Sequence, residues 1–291
     1  MGNRLYIIGN GFDLAHGLPT KYWDYHEFLK QKGETWMMNM LEYYFGNVQG
    51  ETSNILWSDL ERALGVYNLK AIYDFLREGH TLDEDHITRS IEEVEAEVQY
   101  HFVGICEKFS ETFTEWCESI DLKGAVPLKC FNFNATDRFL TFNYSDTLEK
   151  VYDIVEGQLV HIHGRASKGD ELIVGHNNPA SMPKNIKEDF YDHEANYRAI
   201  VDTVNRLEKK TGLIIGRHRV FFDGLVNVDE VVVIGHSIAD VDMPYFRKVK
   251  KCVDANAKWE FSYHSSKEIE HIDDVAKQLG ITSSNYGTFM I

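Results

Sequence analysis

The sequence predicts an α/β fold, a mostly parallel sheet flanked by helices, and two observations carry that expectation. Six short runs, "LYIIG", "RFLTFN", "LVHIHG", "ELIVGH", "EVVVIGHS" and "KWEFSYHS", are rich in β-branched and aromatic residues and end in Gly, Asn, His or Ser. Several are apolar at consecutive rather than alternate positions, as in strands covered on both faces. Helical periods lie between them, the longest stretch falling between the first run and the second. The expected architecture is one domain over residues 1–291, with 20–125 as a mostly helical insertion after the first strand.

Each element has its own signal. The first strand "LYIIG" leads into Gly9, Asn10 and Gly11, and no helical period appears until "YWDYHEFLKQ", which Thr20 is placed to cap. "SDLERALGVYNLKAIYDFLREG" carries Leu60, Leu64, Leu69, Ile72 and Leu76 at helical spacing. A longer helix follows over residues 83–120, with Phe102 and Ile105 on its apolar face. After "IVGHNNP" a helix is expected to end at Gly212, and a shorter one to cover "RHRVFFDGLVN". "MPYFRKVKKCVDAN" and "SKEIEHIDDVAKQLG" supply two more, on either side of "KWEFSYHS".

Composition narrows the function classes. A formal charge of -16 opposes non-specific nucleic-acid binding, which needs cations to displace counterions from phosphates. The 4 cysteines form no C-x-x-C pair, so no zinc module or dense disulfide framework is expected. Apolar runs are too short for a signal-peptide core or a membrane span, and a soluble cytoplasmic protein is expected.

In a parallel sheet the polar strand ends collect on one edge, where α/β folds bind ligands. Gly9 and Gly11 have no Cβ and would let backbone N–H groups approach a phosphate. A Rossmann fingerprint would place a third Gly where Leu14 stands, and a Walker A lysine is missing, so a bare turn remains equally open.

The stretch from Gly9 through Asn10, Gly11, Phe12 and Asp13 to Gly17, Leu18 and Pro19 resembles the first NAD-binding motif of sirtuins in register. "TFNY", with Thr141 and Asn143, resembles the segment whose Asn reaches the nicotinamide pocket. "HIHG" resembles the His-Gly of that site through His163 and Gly164, and "GHSIADVDMP" the ribose and phosphate turn through Gly235, His236 and Ser237. Together the motifs look closest to the bacteriophage abortive infection AbiH family, related to SIR2-like phage-defence proteins. The resemblance implies a Rossmann-like, SIR2-like fold and NAD or NADP as ligand or substrate, with no metal.

Thr20, Lys21 and Tyr22 stand where sirtuins carry Asp, Phe and Arg, and Ser145 where they carry Asp. With no zinc module, the resemblance points away from deacylation and toward hydrolysis of the nicotinamide-ribose bond. His163 would then be general base, Asn143 would place the carboxamide or water, and Asp13 would stabilise charge on the sugar. Gly9, Asn10, Gly11, Phe12, Gly17, Thr141, Gly164, Gly235, His236 and Ser237 would hold the dinucleotide. A phage or host protein would be the trigger, and a homo-oligomer is left open.

Structural roles compete with these. Asn143 and Ser145 can cap the helix "DTLEKVY", Asp13 can form an Asx turn, Asp240 and Asp242 can cap the helix after Pro244, and His163 can simply bond backbone. Two other classes stay open: a nucleotide sensor without turnover, and a metal phosphodiesterase or nuclease built on His161 and His163 with His176 or His236.

Overall fold

The computed structural model describes residues 3–46, 55–65, 91–177 and 205–291. Its six strands are β1 (Asn3–Ile8), β2 (Arg138–Thr141), β3 (Leu159–His161), β4 (Val228–Ile234), β5 (Lys258–Tyr263) and β6 (Tyr286–Met290). They form one sheet in the order β3-β2-β1-β4-β5-β6, with every pairing parallel. This is the order of dinucleotide-binding doubly wound folds, in which the chain reverses its direction of travel across the sheet beside the first strand. The expected α/β, Rossmann-like class is what the chain adopts.

Strand alternation decides which side chains go to which face. Leu5 and Ile7 of β1, Val231 and Val233 of β4 and Trp259 and Phe261 of β5 pack on one face. That face is covered by Phe246 and Val249 of the helix Met243–Cys252 and by Ile272 and Val275 of the helix Lys267–Gln278. Tyr6 and Ile8 of β1, Phe139 of β2 and Val232 and Ile234 of β4 pack on the other, with Phe12 and Leu148 from the helices Asn10–Ala15 and Thr147–Tyr152. Central strands buried on both sides explain the unbroken apolar runs.

Four expectations change. A helix, Asn10–Ala15, opens directly after β1, where the sequence had indicated a loop as far as Lys21. Six residues are too few to display a period, and "NGFDLA" is poor in helix formers, so tertiary contacts fix it rather than propensity. "ELIVGH" is not a strand: residues 171–175 are irregular, and His176 makes one isolated bridge to Glu208. The sixth strand is instead Tyr286–Met290, whose Gly287 and exposed alternate positions hid it. Gly212 lies inside the helix Thr211–Arg217 and ends none. Most of the helix expected before Gly212, and the part of the helix over residues 58–79 that follows Gly65, fall outside the described residues.

The chain divides into two compact units. The first is Met1–Lys21, Cys117–Ile173 and Lys210–Ile291, and it holds the whole sheet. The second is Tyr22–Trp116 with Val174–Lys209, so most of the inserted stretch belongs to it together with a second, later segment. Within this unit the helices Tyr22–Lys32 and Thr35–Leu41 bury Tyr25, Leu29, Met37 and Leu41. Tyr25 Oη bonds Thr112 Oγ1 at 2.7 Å inside a cluster of Phe109, Phe113 and Trp116. No described helix is long and apolar enough to cross a membrane.

Phe139, fully buried in β2, tests the account of the sheet. Phe139→Ala should cost about 3–5 kcal/mol in urea unfolding, by lost transfer energy and the cavity left behind.

Candidate functional site at the strand ends

Ile8 of β1 is level with Thr141 of β2 and with Ile234 of β4, and Thr141 with His161 of β3. Four adjacent strands therefore end together, and the residues that follow them meet. The Gly9 and Gly11 N–H groups donate to Ile234 O at 2.9 Å and Gly235 O at 2.7 Å, across the point where the sheet reverses. A Cβ on Gly9 would come within 2.5 Å of His236 Cα, and one on Gly11 within 2.7 Å of Gly235 Cα. Both glycines are thus required by contact between two turns, and their amides bond protein carbonyls rather than standing free for phosphate. Gly235 has φ +62, which lets the second turn fold back onto the first.

Asn143 completes this junction from β2. Its Nδ2 donates to Gly9 O at 3.1 Å and its N–H to Thr141 Oγ1 at 3.1 Å. Neither Asn143 nor Ser145 caps the helix Thr147–Tyr152, because no side-chain cap bond is made there. Ser145 Oγ instead donates to Asp13 Oδ2 at 2.5 Å and lies 2.9 Å from Thr147 Oγ1. Asp13 is buried, and that burial pushes its carboxyl upward against the opposing hydrogen bonds of Ser145, Thr147 and Asn143. It ties its helix to the β2 end.

His163 follows β3 in a turn, and its side chain is 3% exposed. Its ring lies edge-on to Phe142 with centroids 5.0 Å apart, and against Tyr245 at 5.6 Å. Its Nε2 stands 3.7 Å from Asp242 Oδ1. The same carboxylate lies 3.6 Å from His236 Nε2 through Oδ2. Asp242 occupies the first position before the helix Met243–Cys252, yet its side chain makes no cap bond. It sits between two imidazoles.

His236 has a defined tautomer. The Ile238 N–H donates to its Nδ1 at 2.8 Å, so the neutral ring carries its proton on Nε2, facing Asp242. Ile238 adopts φ 51, a left-handed conformation that is costly for a β-branched residue, about 1–3 kcal/mol. His271 Nε2 lies 3.0 Å from Ser237 O and 3.2 Å from Ile238 O, steadying the strained turn from the neighbouring helix.

His161 and His163 do not share a ligand set. His161 Nδ1 lies 3.0 Å from Asn143 O and its Nε2 lies 2.9 Å from Glu149 Oε1. Glu149 also meets Arg165 Nη1 at 3.1 Å, and Arg165 Nε donates to Asp146 Oδ1 at 2.6 Å. Burial alone would raise the Asp146 carboxyl, but bonds from Arg165, Lys150 and Ser167 outweigh it and hold it down at about 2. Among the described residues no group of three His, Cys, Asp or Glu side chains is arranged to hold a metal ion.

The remaining candidates divide. Asn10 is exposed, with Nδ2 on Thr20 O at 2.7 Å, and Ser237 is exposed beside His236. Phe12 is fully buried with Phe131 and Tyr152 around it, and so belongs to the core. Gly17 has φ +75 and ends its helix by donating to Leu14 O. Gly164, at φ +88, is needed where a Cβ would press on Glu171 O at 2.6 Å. The sequence had offered Asp242 only as a cap; its distance along the chain from His163 hid the juxtaposition.

Fold and site together define a Rossmann-like α/β protein whose polar groups gather at the carboxyl edge of a parallel sheet. The profile of the bacteriophage abortive infection AbiH family matches residues 5–263, and the chain belongs to that family. Membership gives it the family's coarse role, abortive infection as a defence against phage. No curated protein matches the chain.

Two outcomes test this geometry. Gly235→Ala should lose about 2–4 kcal/mol in thermal unfolding, since the new Cβ meets Phe12 N and comes within 2.5 Å of Gly11 C in a left-handed conformation. Asp146 is held below the roughly 3.9 of an unfolded Asp, so its contribution is present above about pH 4 and lost as pH falls toward 2. Urea midpoints of Asp146→Asn should therefore fall less than those of the parent between pH 5 and pH 2.5.

Proposed function

We propose that this AbiH-family chain acts in abortive infection by binding NAD or a related dinucleotide at the reversal point of its sheet and hydrolysing the nicotinamide-ribose bond. One observation carries the reading: Asn143, His163 and the turns at Gly9 and Gly235 converge where strand order reverses, the place at which doubly wound folds bind dinucleotides. The SIR2-like motif order supports the same ligand.

Cleavage passes through an oxocarbenium-like sugar, which needs little covalent help from the protein. His163 would take a proton from the attacking water or hold a ribose hydroxyl. With Nδ2 donating to Gly9 O, Asn143 would offer Oδ1 to the nicotinamide carboxamide. Phosphate contacts would come from the exposed Asn10 and Ser237, because the Gly9 and Gly11 amides are engaged within the protein. Asp13 would act by holding the Asn143 segment rather than by touching the sugar.

The burial of the His163 ring favours a second reading, a nucleotide sensor that changes shape without turnover. Incubation with NAD, following free nicotinamide by chromatography with and without phage lysate, separates them. The enzymatic reading expects release that survives EDTA and falls at least about 100-fold in His163→Ala and in Asn143→Ala, both still folded. Release at the parental rate in both variants would overturn it; saturable NAD binding without release would leave the sensor.

A further inference from the structure

We propose that His161 is a doubly protonated positioning residue: its imidazolium donates one N–H to Asn143 O and the other to Glu149, and so holds the Asn143 segment in place for substrate. The assignment deepens the reading above, and its consequence for turnover rests on Asn143 being a substrate contact.

Both ring nitrogens have a partner within hydrogen-bond distance, and both partners accept. Nδ1 lies 3.0 Å from Asn143 O, a backbone carbonyl with no proton to give. Nε2 lies 2.9 Å from Glu149 Oε1. A neutral imidazole has one N–H and one lone pair, so it can serve a carbonyl or a carboxylate but not both. The same Glu149 oxygen meets Arg165 Nη1 at 3.1 Å, which favours the carboxylate over a carboxylic acid that could donate back to the ring. The ring therefore carries both protons.

The surroundings suit a cation. His161, Glu149, Arg165 and Asp146 form one cluster, and none of the four side chains is more than 13% exposed. Arg165 Nε donates to Asp146 Oδ1 at 2.6 Å, and despite burial the bonds from Arg165, Lys150 and Ser167 keep Asp146 ionised. Two buried anions then face two buried cations when His161 is charged, and charge taken out of water is tolerated when it is paired. The other charged groups stand at the rim, each more than half exposed: Lys150 meets Asp146 Oδ2 at 2.8 Å, and Lys168 meets Glu156 Oε1 at 2.7 Å. Glu156 Oε1 also lies 3.6 Å from Arg165 Nη1.

Loss of one proton would act on a particular side of the ring. A carboxylate is a stronger acceptor than a carbonyl, so the remaining proton stays on Nε2 and the Nδ1 lone pair is turned against Asn143 O. Asn143 is held at the same time by Nδ2 on Gly9 O and by its N–H on Thr141 Oγ1. A displaced Asn143 carbonyl therefore disturbs the junction of the strand ends. His161 sets where the Asn143 side chain stands without touching substrate.

Imidazole nitrogen NMR on the full, 15N-labelled chain tests the charge state, with the His161 signals identified by their loss in His161→Gln. At pH 7 the parental ring should show two protonated nitrogens. In Glu149→Gln the new amide can donate to Nε2, so the ring should carry a single proton, on Nδ1. A singly protonated parental ring, or a ring that stays doubly protonated in folded Glu149→Gln, overturns the proposal. Should Glu149→Gln fail to fold, the parental spectrum decides alone. If nicotinamide is released, parental kcat/KM should fall about tenfold as rising pH removes the second proton. Glu149→Gln, which keeps the Nδ1–H on Asn143 O, should lack that alkaline limb; a limb unchanged in the variant overturns the positioning role. A parent that releases no nicotinamide sinks the enzymatic reading, while the nitrogen spectrum still decides the charge of His161.

Discussion

The contact on which the site depends is made by backbone. The turn after β1 and the turn after β4 lie so close that Gly9 and Gly11 hydrogen-bond Ile234 O and Gly235 O, and side chains at Gly9, Gly11 or Gly235 would intrude on the opposite chain. Two strands from remote parts of the sequence are locked at their carboxyl ends, and the short helix Asn10–Ala15 starts from that lock. Asn143 adds the third strand by donating to Gly9 O. The ends of three strands are thereby fixed to one another.

Around it lie two separate electrostatic groups. One runs through His161, Glu149, Arg165 and Asp146 and braces the backbone of Asn143, since His161 Nδ1 lies 3.0 Å from Asn143 O. Its acid-resistant Asp146 makes it a structural brace through most of the ordinary pH range. The other is His163, Asp242 and His236, packed among aromatic rings, in a setting where one proton more or less changes the local field strongly. Alternation along a strand had suggested that His161 and His163 act together. The chain leaves strand geometry after His161, so the period of two no longer applies at His163.

What could be read from sequence follows from where the information sits. Five of the six expected runs became strands, because double-sided burial imposes an apolar pattern that is local in sequence. "ELIVGH" had the same composition but met no strand along its length, and Tyr286–Met290 was missed because its alternate positions are exposed. Motif order identified Asn143, His163 and the Gly235 turn, and the structure brings them to one edge. It could not distinguish a phosphate-binding glycine from one that permits two turns to touch, since both demand a missing Cβ. Nor could it pair Asp242 with His163, which are joined only by the fold.

The strand order also bears on how the molecule is made. β1 lies between β2 and β4, so the first strand to leave the ribosome finds neither neighbour until residues 138–141 and then 228–234 have been synthesised. At roughly 5–20 residues per second, translation keeps its apolar edges waiting for some tens of seconds or less. During that interval "LYII" has neither of its strand neighbours, and pairings this far apart in sequence are slow to close. With its opening strand at the centre of the sheet, the chain can close its core only after distant sequence has been made.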